Sequence, residues 1–157
     1  MKRCEKIKDY SFISILEKLE NLNLGFTNIS DISFLENNNK NIKELDLSGC
    51  EKIKDYSFTS KFEKLENLNI RHTYISNISF LEINENIKKL NLESSEIKDY
   101  SFISKLKKLE DLNLRYTNVS DISFLEKNKN IKELNLEFCE KIKDFTPISK
   151  IELMKFF

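Results

Sequence analysis

The sequence predicts an α/β repeat fold, a stacked solenoid whose parallel β-sheet of about six short strands faces short turns. Two observations support this prediction. The nonapeptide CEKIKDYSF occupies residues 4–12 and again residues 50–58, and it returns as CEKIKDFTP at residues 139–147. Six strand-like segments, each centred on an apolar residue, follow one another at spacings of 22 or 23 residues. Such a period indicates a solenoid, because one repeat alone cannot bury its apolar face.

The predicted strands alternate apolar and polar residues. This period of two residues is typical of a strand with one buried face. Stacked strands lie about 4.8 Å apart, so the leucines should form a continuous layer of the core. The segments are LENLNL (19–24), IKELDL (42–47), LENLNI (65–70), IKKLNL (87–92), LEDLNL (109–114) and IKELNL (131–136).

The return segments between strands are short and contain a phenylalanine. They have room only for single helical turns, which we predict to be 3₁₀. We predict that the phenylalanines form the far wall of the core: Phe12, Phe34, Phe58, Phe80, Phe102 and Phe124, with Pro147 in the last turn. A carboxylate or amide precedes each turn and should cap it, and with two glycines in the chain a calcium role is disfavoured. These residues are Asp9, Asp31, Asp55, Asn77, Asp99, Asp121 and Asp144.

The pattern L-x-x-L-x-L-x-x-(T/C/S)-x-(I/V), followed by D-x-S-F-L, resembles the leucine-rich repeat. It is similar to the short 22-residue class of internalins and of a regulatory subunit of protein phosphatase 1. The resemblance covers essentially the whole chain. It implies a right-handed leucine-rich-repeat solenoid with a concave parallel sheet and 3₁₀ or irregular turns on the convex side.

The repeat boundaries predict one domain over residues 1–157. It would contain an incomplete leading repeat at 1–18, six full repeats at about 19–150 and a partial trailing repeat at 151–157, in which Met154 and Phe157 align with Leu109 and Leu112. The copies also alternate. Odd copies have an apolar residue four positions after the phenylalanine, namely Leu16, Phe62 and Leu106, whereas even copies are rich in asparagine. A duplicated double repeat of 45 residues or so is therefore indicated.

The three cysteines Cys4, Cys50 and Cys139 share one column of the repeat with threonines and a serine. This column requires a small side chain that can hydrogen-bond the backbone. Cys4 and Cys50 would lie two strands apart, roughly 9 to 10 Å, which is too far for a disulfide. We therefore predict unpaired structural thiols. The odd cysteine count and the charged first residues, which do not resemble a secretory signal, favour an intracellular, cytoplasmic location.

The composition disfavours several functions. Lys and Arg number 26 and Asp and Glu number 26, so nothing attracts the chain generally to nucleic acid or an anionic membrane. The single histidine, His72, lacks a flanking nucleophile motif, and no Cys or Cys–His pair has metal-ligand spacing. We therefore expect a non-enzymatic protein without a cofactor or a metal site.

Two columns on the concave side are explained by pairing. The central column is nearly all amide, and we favour a side-chain ladder that supports the sheet over a direct binding role: Asn23, Asp46, Asn69, Asn91, Asn113 and Asn135. The column at the strand entrance alternates in sign and should support the register: Glu20, Lys43, Glu66, Lys88, Glu110 and Lys132.

The column after each strand has no such explanation. It contains Phe26, Gly49, His72, Ser94, Tyr116 and Phe138. Aromatic residues beside arginines are typical of binding hot spots, and the resemblance implies that concave and ascending positions contact partners. We predict a partner-binding patch of Arg71, His72, Arg115, Tyr116, Glu137 and Phe138.

These features predict an interaction module that binds an unidentified protein through its concave face. Two alternatives stay open. The chain could be a structural or self-associating fragment of a larger repeat protein, with end-to-end contacts between copies, or an adaptor or regulatory subunit of an enzyme complex.

Overall fold

The computed structural model describes residue 7, residues 9–35, residues 40–149 and the backbone of residues 155–156. Two sequence predictions lie outside these residues: the place of Cys4 in its column, and the alignment of Met154 and Phe157 with an earlier strand.

Within the described residues, seven short strands form one parallel sheet, and each strand pairs with the next along the chain. Their central residues stand level across the first six strands, for example Leu22 with Leu45 and Leu112 with Leu134. In the seventh strand, Phe156 is level with Leu134. The strands are β1 (Asn21–Asn23), β2 (Glu44–Asp46), β3 (Asn67–Asn69), β4 (Lys89–Asn91), β5 (Asp111–Asn113), β6 (Glu133–Asn135) and β7 (Lys155–Phe156). The predicted parallel solenoid is thereby confirmed, with one strand more than the six expected.

Short 3₁₀ helices, as predicted, alternate with the strands. The described residues contain Ser11–Ile15, Ser57–Lys61, Ser79–Ile83, Ser101–Lys105, Ser123–Lys127 and Thr146–Ile148. Consecutive helices from Ser57 onward contact one another and so form a second column. Each repeat thus contributes one strand to the sheet and a return segment to the opposite wall.

The predicted capping residues precede these helices by one position more than an N-cap does. Their side chains accept a hydrogen bond from the backbone N–H two residues later, for example Ser101 N to Asp99 Oδ1 at 2.8 Å and Ser79 N to Asn77 Oδ1 at 3.0 Å. The backbone hydrogen bond lowers the pKa of the aspartates Asp9, Asp31, Asp55, Asp99 and Asp121. The capping prediction is confirmed as an Asx turn that leads the chain into each helix.

The core lies between the sheet and the helices. Phe58, Phe102, Phe124 and Pro147 are buried there, as predicted, and Phe34 and Phe80 are partly buried. The prediction is wrong for Phe12, which is 54% exposed. An internal phenylalanine is covered by the repeat before it, whereas no repeat that the structure describes precedes Phe12.

The alternation of odd and even copies has a structural basis at the position four residues after the phenylalanine. Phe62 and Leu106 fill this position with buried apolar side chains. In even copies the position is a buried asparagine. Asn84 Nδ2 donates to the carbonyls of Thr59 and Phe62 at 3.3 and 3.2 Å. Asn128 Nδ2 does the same to Ile103 and Leu106, at 2.9 Å each.

The cysteine column is buried and hydrogen-bonded to the backbone. Cys50 Sγ donates to the carbonyl of Leu24 at 3.1 Å, and Cys139 Sγ donates to that of Leu114 at 2.9 Å, so each thiol bonds across to the preceding repeat. Thr27 Oγ1 donates to the same Leu24 oxygen from within its own repeat, at 2.8 Å. Both cysteines are free, and burial raises the pKa of the Cys50 thiol. The prediction of structural thiols is confirmed for these two.

Candidate partner-binding surface

The side chains of the central amide column on the concave face form the turn that follows each strand. Each Oδ1 accepts a hydrogen bond from the backbone N–H two residues later, for example Arg115 N to Asn113 Oδ1 at 2.9 Å. Within the column, the described residues show one bond between strands, from Asn23 Nδ2 to Asp46 Oδ2 at 3.3 Å. The predicted ladder is therefore wrong as the main role. Asparagine and aspartate recur here because their short side chains can close the local turn.

The residue three positions after each central amide belongs to a further column, which we call the rim. All six rim residues have a left-handed backbone. The φ angles are Phe26 58°, Gly49 63°, His72 54°, Ser94 55°, Tyr116 56° and Phe138 59°. Only glycine adopts this conformation without a steric penalty, and bulky residues are uncommon in it. Three aromatic rings among six left-handed positions are therefore not what the backbone itself favours.

Tyr116 and Phe138 stack on each other at the last two rim positions before the final helix. Their ring centroids are 4.5 Å apart, the planes differ by 1°, and each residue is 49% exposed. The Arg115 guanidinium lies 4.8 Å from the Tyr116 centroid and 5.4 Å from that of Phe138. Arg115 Nε is 2.8 Å from Glu137 Oε2. We call these four residues the aromatic cluster.

Glu93 connects the aromatic cluster to the earlier repeats. It is almost buried, with Arg71 Nη1 3.8 Å from one carboxylate oxygen and Arg115 Nη1 4.0 Å from the other. Asn113 Nδ2 also donates to Glu93, at 3.4 Å. One carboxylate thus lies between two guanidinium groups and fixes the arginines along the rim.

Phe26 extends this surface towards the first strand. The Arg71 guanidinium lies 5.7 Å from its ring centroid. The ring also lies over Gly49, since a Cβ atom added to that glycine would be 2.5 Å from a ring carbon. Glycine at this position therefore leaves the space that the neighbouring ring occupies.

The structure brings together four of the six predicted site residues. Arg115, Tyr116, Glu137 and Phe138 form the aromatic cluster, and Arg71 joins it through Glu93. His72 is exposed on the rim between these groups, and its ring stacks on none of the other side chains that the structure describes.

The sequence prediction omitted Phe26 and Glu93. Phe26 belongs to the column after each strand, and Glu93 directly precedes Ser94 of that column. The role of Phe26 depends on Arg71, which contacts its ring from two strands away. The role of Glu93 depends on its carboxylate lying between Arg71 and Arg115.

The charged column at the strand entrance forms separate pairs. Lys43 is 2.9 Å from Glu20, Lys88 is 2.9 Å from Glu66 and Lys132 is 2.7 Å from Glu110. The hydrogen bond with Glu20 raises the pKa of Lys43, and that with Lys132 lowers the pKa of Glu110. These contacts join each odd strand to the even strand after it, which agrees with the predicted role in register.

The strand residues that face away from the core form what we call the concave floor. An open groove of about 470 Å³ runs along the floor from β1 to β5. Among the side chains that the structure describes, the floor contains four carboxylates, of Glu44, Asp46, Asp111 and Glu133, and one ammonium group, of Lys89; the backbone of Lys155 is level with Glu133 in the last strand. Burial and the nearby charge of Glu133 raise the pKa of Asp111.

The residues that the structure describes contain no group of three or more His, Cys, Asp and Glu that could hold a metal ion. Within the same residues, none of the helices is long and apolar enough to cross a membrane.

The chain belongs to the leucine-rich repeat family. A family profile described as "Leucine Rich repeats (2 copies)" matches residues 17–60 and 107–150. No curated protein sequence matches the chain at a significant level.

Solved structures of leucine-rich repeat proteins have the same fold. An internalin (inlF) of Listeria monocytogenes is 25% identical, with a TM-score of 0.81 over 96% of this chain and 51% of the internalin. Internalin C2 of the same organism is 24% identical, with a TM-score of 0.82 over 95% of this chain and 66% of that one. The Arabidopsis receptor kinase HAESA, solved with the peptide hormone IDA and the co-receptor SERK1, is 17% identical, with a TM-score of 0.66 over 93% of this chain and 24% of the kinase. The chain thus spans between half and two thirds of the length of the two internalins. The leucine-rich repeat fold is commonly a protein–protein interaction module.

Proposed function

We propose that the protein is an interaction module that binds a partner protein through the aromatic cluster and the adjoining rim. The stacked, half-exposed rings of Tyr116 and Phe138 are the observation that supports this function. Exposed aromatic residues beside an arginine are the side chains most enriched in binding hot spots. A protein partner is favoured over nucleic acid or a membrane surface because the chain has equal numbers of cationic and anionic residues.

The backbone supports the proposal independently of exposure. Tyr116 and Phe138 have left-handed φ angles of 56° and 59°. A non-glycine residue held in a sparsely populated conformation costs on the order of 1 to 3 kcal/mol, and such residues cluster at functional sites. Ser94→Gly, at a neighbouring left-handed position, should therefore raise the free energy of unfolding by about 1 kcal/mol. Denaturant titration would measure this gain, and a loss of stability would mean that the rim conformation is unstrained.

The aromatic cluster is also held in place before any partner arrives. Arg115 contacts both rings and lies between Glu93 and Glu137. Preorganised side chains lose less conformational entropy on binding, which favours affinity. The cluster therefore has both the chemistry and the rigidity of an anchor.

The test is the double variant Tyr116→Ala, Phe138→Ala, assayed against the partner obtained by affinity purification from the native cell. Truncation of a true anchor costs about 2 kcal/mol or more of binding, or roughly thirtyfold in affinity. Circular dichroism should be unchanged, since the two side chains are half exposed. The matched control is Lys105→Glu on the convex side, where binding should persist. Intact binding by the double variant, with loss in the control, would place the site on the convex surface.

End-to-end self-association is a second candidate. In the first helix Phe12 is 54% exposed and Ile15 is 76% exposed, and Leu16, directly after the helix, is 44% exposed. Exposed apolar residues beside an edge strand favour association with another chain. Light scattering of the protein over a concentration series should show oligomers that Ile15→Glu removes. A monomer at every concentration would exclude this candidate and leave the partner-binding proposal untouched.

A further inference from the structure

We infer that the concave floor at β3 and β4 binds the side-chain amide of a glutamine or asparagine in the partner, close to an apolar residue that contacts the aromatic cluster. The carbonyl oxygen of that amide would accept one hydrogen bond from Asn69 and one from Asn91. This inference rests on the proposed function and adds the chemistry of the partner segment.

The orientation of the two floor amides is fixed by the turns that follow their strands. Asn69 Oδ1 accepts a hydrogen bond from Arg71 N at 3.3 Å, and Asn91 Oδ1 accepts one from Glu93 N at 3.0 Å. An amide whose oxygen is engaged in its own turn directs its Nδ2 group, which is a donor, away from that turn. Both side chains line the open groove of the floor. The two residues therefore offer hydrogen-bond donors to the groove.

These two amides are neighbours whose donors are unused by the rest of the described chain. Asn23 and Asn113, in the same column, donate from Nδ2 to carboxylates of neighbouring repeats. Asn69 and Asn91 are level in the register of β3 and β4, and their Nδ2 groups form no hydrogen bond with any residue that the structure describes. A few fixed polar groups in a groove determine which ligand it accepts. A pair of donors favours a ligand that supplies an acceptor.

The spacing of the two donors suits one carbonyl oxygen. Because the same kind of turn fixes both side chains, their nitrogens should be separated by about the strand spacing of 4.8 Å. An oxygen about 2.9 Å from each nitrogen would form an angle of roughly 110° with them. That angle is close to the one of roughly 120° between the two lone pairs of a carbonyl oxygen. One carbonyl group can therefore accept hydrogen bonds from both amides.

The neighbouring carboxylates favour an uncharged amide over an acidic side chain as the ligand. Asp46 of β2 is level with Asn69, and Glu93 lies two residues after Asn91. A carboxylate of the partner would lie near both and be repelled. The NH₂ group of an amide can instead donate to Asp46, whose oxygens each accept one hydrogen bond and have a lone pair left. A lysine would not suit the site, because its ammonium group has no acceptor.

The amide pair and the aromatic cluster are close enough for one short segment to reach both. Tyr116 is three residues beyond Asn113, which is level with Asn91 on the neighbouring strand. At about 3.3 Å for each residue and about 4.8 Å for one strand, the two sites lie no more than roughly 11 Å apart. An extended peptide covers this distance in about three residues. We therefore place the amide residue of the partner three positions from its apolar residue.

The experiment uses four synthetic ten-residue Gly/Ser peptides as probes. The first contains a glutamine and, three residues later, a phenylalanine. The others have leucine, lysine or glutamate in place of the glutamine. Each is titrated into the ¹⁵N-labelled full chain, and NMR follows the backbone amides and the side-chain NH₂ groups of the asparagines. The variants Asn69→Asp and Asn91→Asp identify the two NH₂ signals, because each variant lacks one of them.

The glutamine peptide should shift the NH₂ signals of Asn69 and Asn91 and the backbone amides of Tyr116 and Phe138. The leucine and lysine peptides should shift only the backbone amides of the rim, and should bind about tenfold more weakly because they lack the two hydrogen bonds. The glutamate peptide should also leave the NH₂ signals unshifted. NH₂ shifts that are as large with leucine or glutamate, or that are absent with glutamine, would overturn the inference.

A matched pair of variants isolates the donor group. Asn91→Asp should keep the turn, since Asp46 of the same column accepts the equivalent bond from Ser48 N at 2.9 Å, but it replaces the Nδ2 donor with an acceptor. The glutamine peptide should bind this variant about tenfold more weakly. Asn135→Asp makes the same change two strands away and should leave the affinity within about twofold. Circular dichroism should be unchanged in both. An equal loss in both would mean that added negative charge weakens binding, which contradicts the proposed site.

The purified partner distinguishes this inference from the proposed function. If Tyr116→Ala, Phe138→Ala abolishes partner binding while Asn91→Asp retains it, the interaction module stands and the amide ligand is wrong. If both variants bind as well as the unmodified chain, the aromatic cluster is not the binding site and both proposals fail. If both lose binding while Asn135→Asp retains it, the two proposals are supported together.

Discussion

Phe62 and Leu106 in the odd repeats, and Asn84 and Asn128 in the even ones, occupy one position of the solenoid with opposite chemistry. All four are buried, and the asparagines are only 3% and 1% exposed. The apolar side chains fill the core, whereas each asparagine donates two hydrogen bonds to the preceding odd repeat. The stack is therefore a series of double repeats, in which the asparagine of the even copy gives a second hydrogen bond to carbonyl groups of the odd copy that already accept one from a backbone N–H.

This difference shows how the solenoid couples its repeats. Burial of a large apolar side chain is insensitive to direction and tolerates small shifts. Two hydrogen bonds from one amide fix the distance and angle between neighbouring repeats. The amide oxygens of Asn84 and Asn128 are buried and accept no hydrogen bond from the described residues, so the arrangement has a cost that the two donated bonds must offset.

The largest effect should follow from emptying an odd-copy position. Phe62→Ala removes a fully buried ring and should lower the free energy of unfolding by about 3 to 5 kcal/mol. Urea denaturation followed by circular dichroism would measure the change. A loss below 1 kcal/mol would show that the asparagines, and not the apolar residues, hold the stack together.

Removal of the even-copy amide should have a smaller but comparable effect. Asn128→Ala removes the two side-chain hydrogen bonds to the carbonyls of Ile103 and Leu106 and should cost about 2 to 3 kcal/mol. Asn128→Leu copies the odd-repeat chemistry and should cost about 1 kcal/mol, because it removes the same two hydrogen bonds between repeats. If the leucine variant unfolds at the same urea concentration as the unmodified chain, the two chemistries are interchangeable and the comparison between repeats loses its meaning.

The first copy offers a test within the same column. Leu16 is 44% exposed, whereas Leu106 is buried. Leu16→Ala should therefore cost less than about 1 kcal/mol, and Leu106→Ala should cost about 2 to 5 kcal/mol. Equal losses in urea denaturation would mean that Leu16 is buried in solution, for example by another chain.

The smallest effect should be on pH dependence. The hydrogen bond from Ser101 N–H lowers the pKa of Asp99 in the folded chain. A lowered folded pKa contributes stability that is fully present above the ordinary carboxyl pKa, near 4, and is lost as the pH falls through the folded value. Asp99→Asn should keep the turn, as Asn77 does in the preceding repeat, and reduce the loss of stability in acid. Thermal unfolding at pH 7 and below pH 4 would measure it, and an unchanged pH dependence would contradict the role of this carboxylate.

Much of the fold could be predicted because the same pattern of apolar and turn residues recurs in each repeat. The spacing of the leucines fixed the sheet and its register, and the aspartate before each Ser or Thr indicated the turn. Periodicity treats all copies alike and could not indicate that the first phenylalanine lacks a covering repeat among the described residues, so the exposure of Phe12 was missed. It also could not show that the even-copy asparagines bond to backbone carbonyls, since those partners are not encoded by side-chain type.

The site was predictable only in part. Arg115, Tyr116, Glu137 and Phe138 are neighbours in a regular register, so their proximity followed from the repeat. The predicted role of Asn113 and its equivalents was wrong. The same amide side chain can bond either to the next strand or to the backbone of its own turn, and the N–H two residues later is nearer. Phe26 was omitted because its contact with Arg71 spans two strands and depends on the glycine between them.

The left-handed rim has a consequence for how this surface can change during evolution. All six positions have nearly the same φ, between 54° and 63°, whether the residue is glycine, serine, histidine or an aromatic. The same backbone conformation thus carries very different side chains, and successive positions are separated by about the spacing of two stacked rings. A codon change at such a position can add or remove one ring without a new fold, provided that no neighbouring ring occupies the space, as that of Phe26 does at Gly49. The set of side chains that the rim exposes can therefore change one repeat at a time.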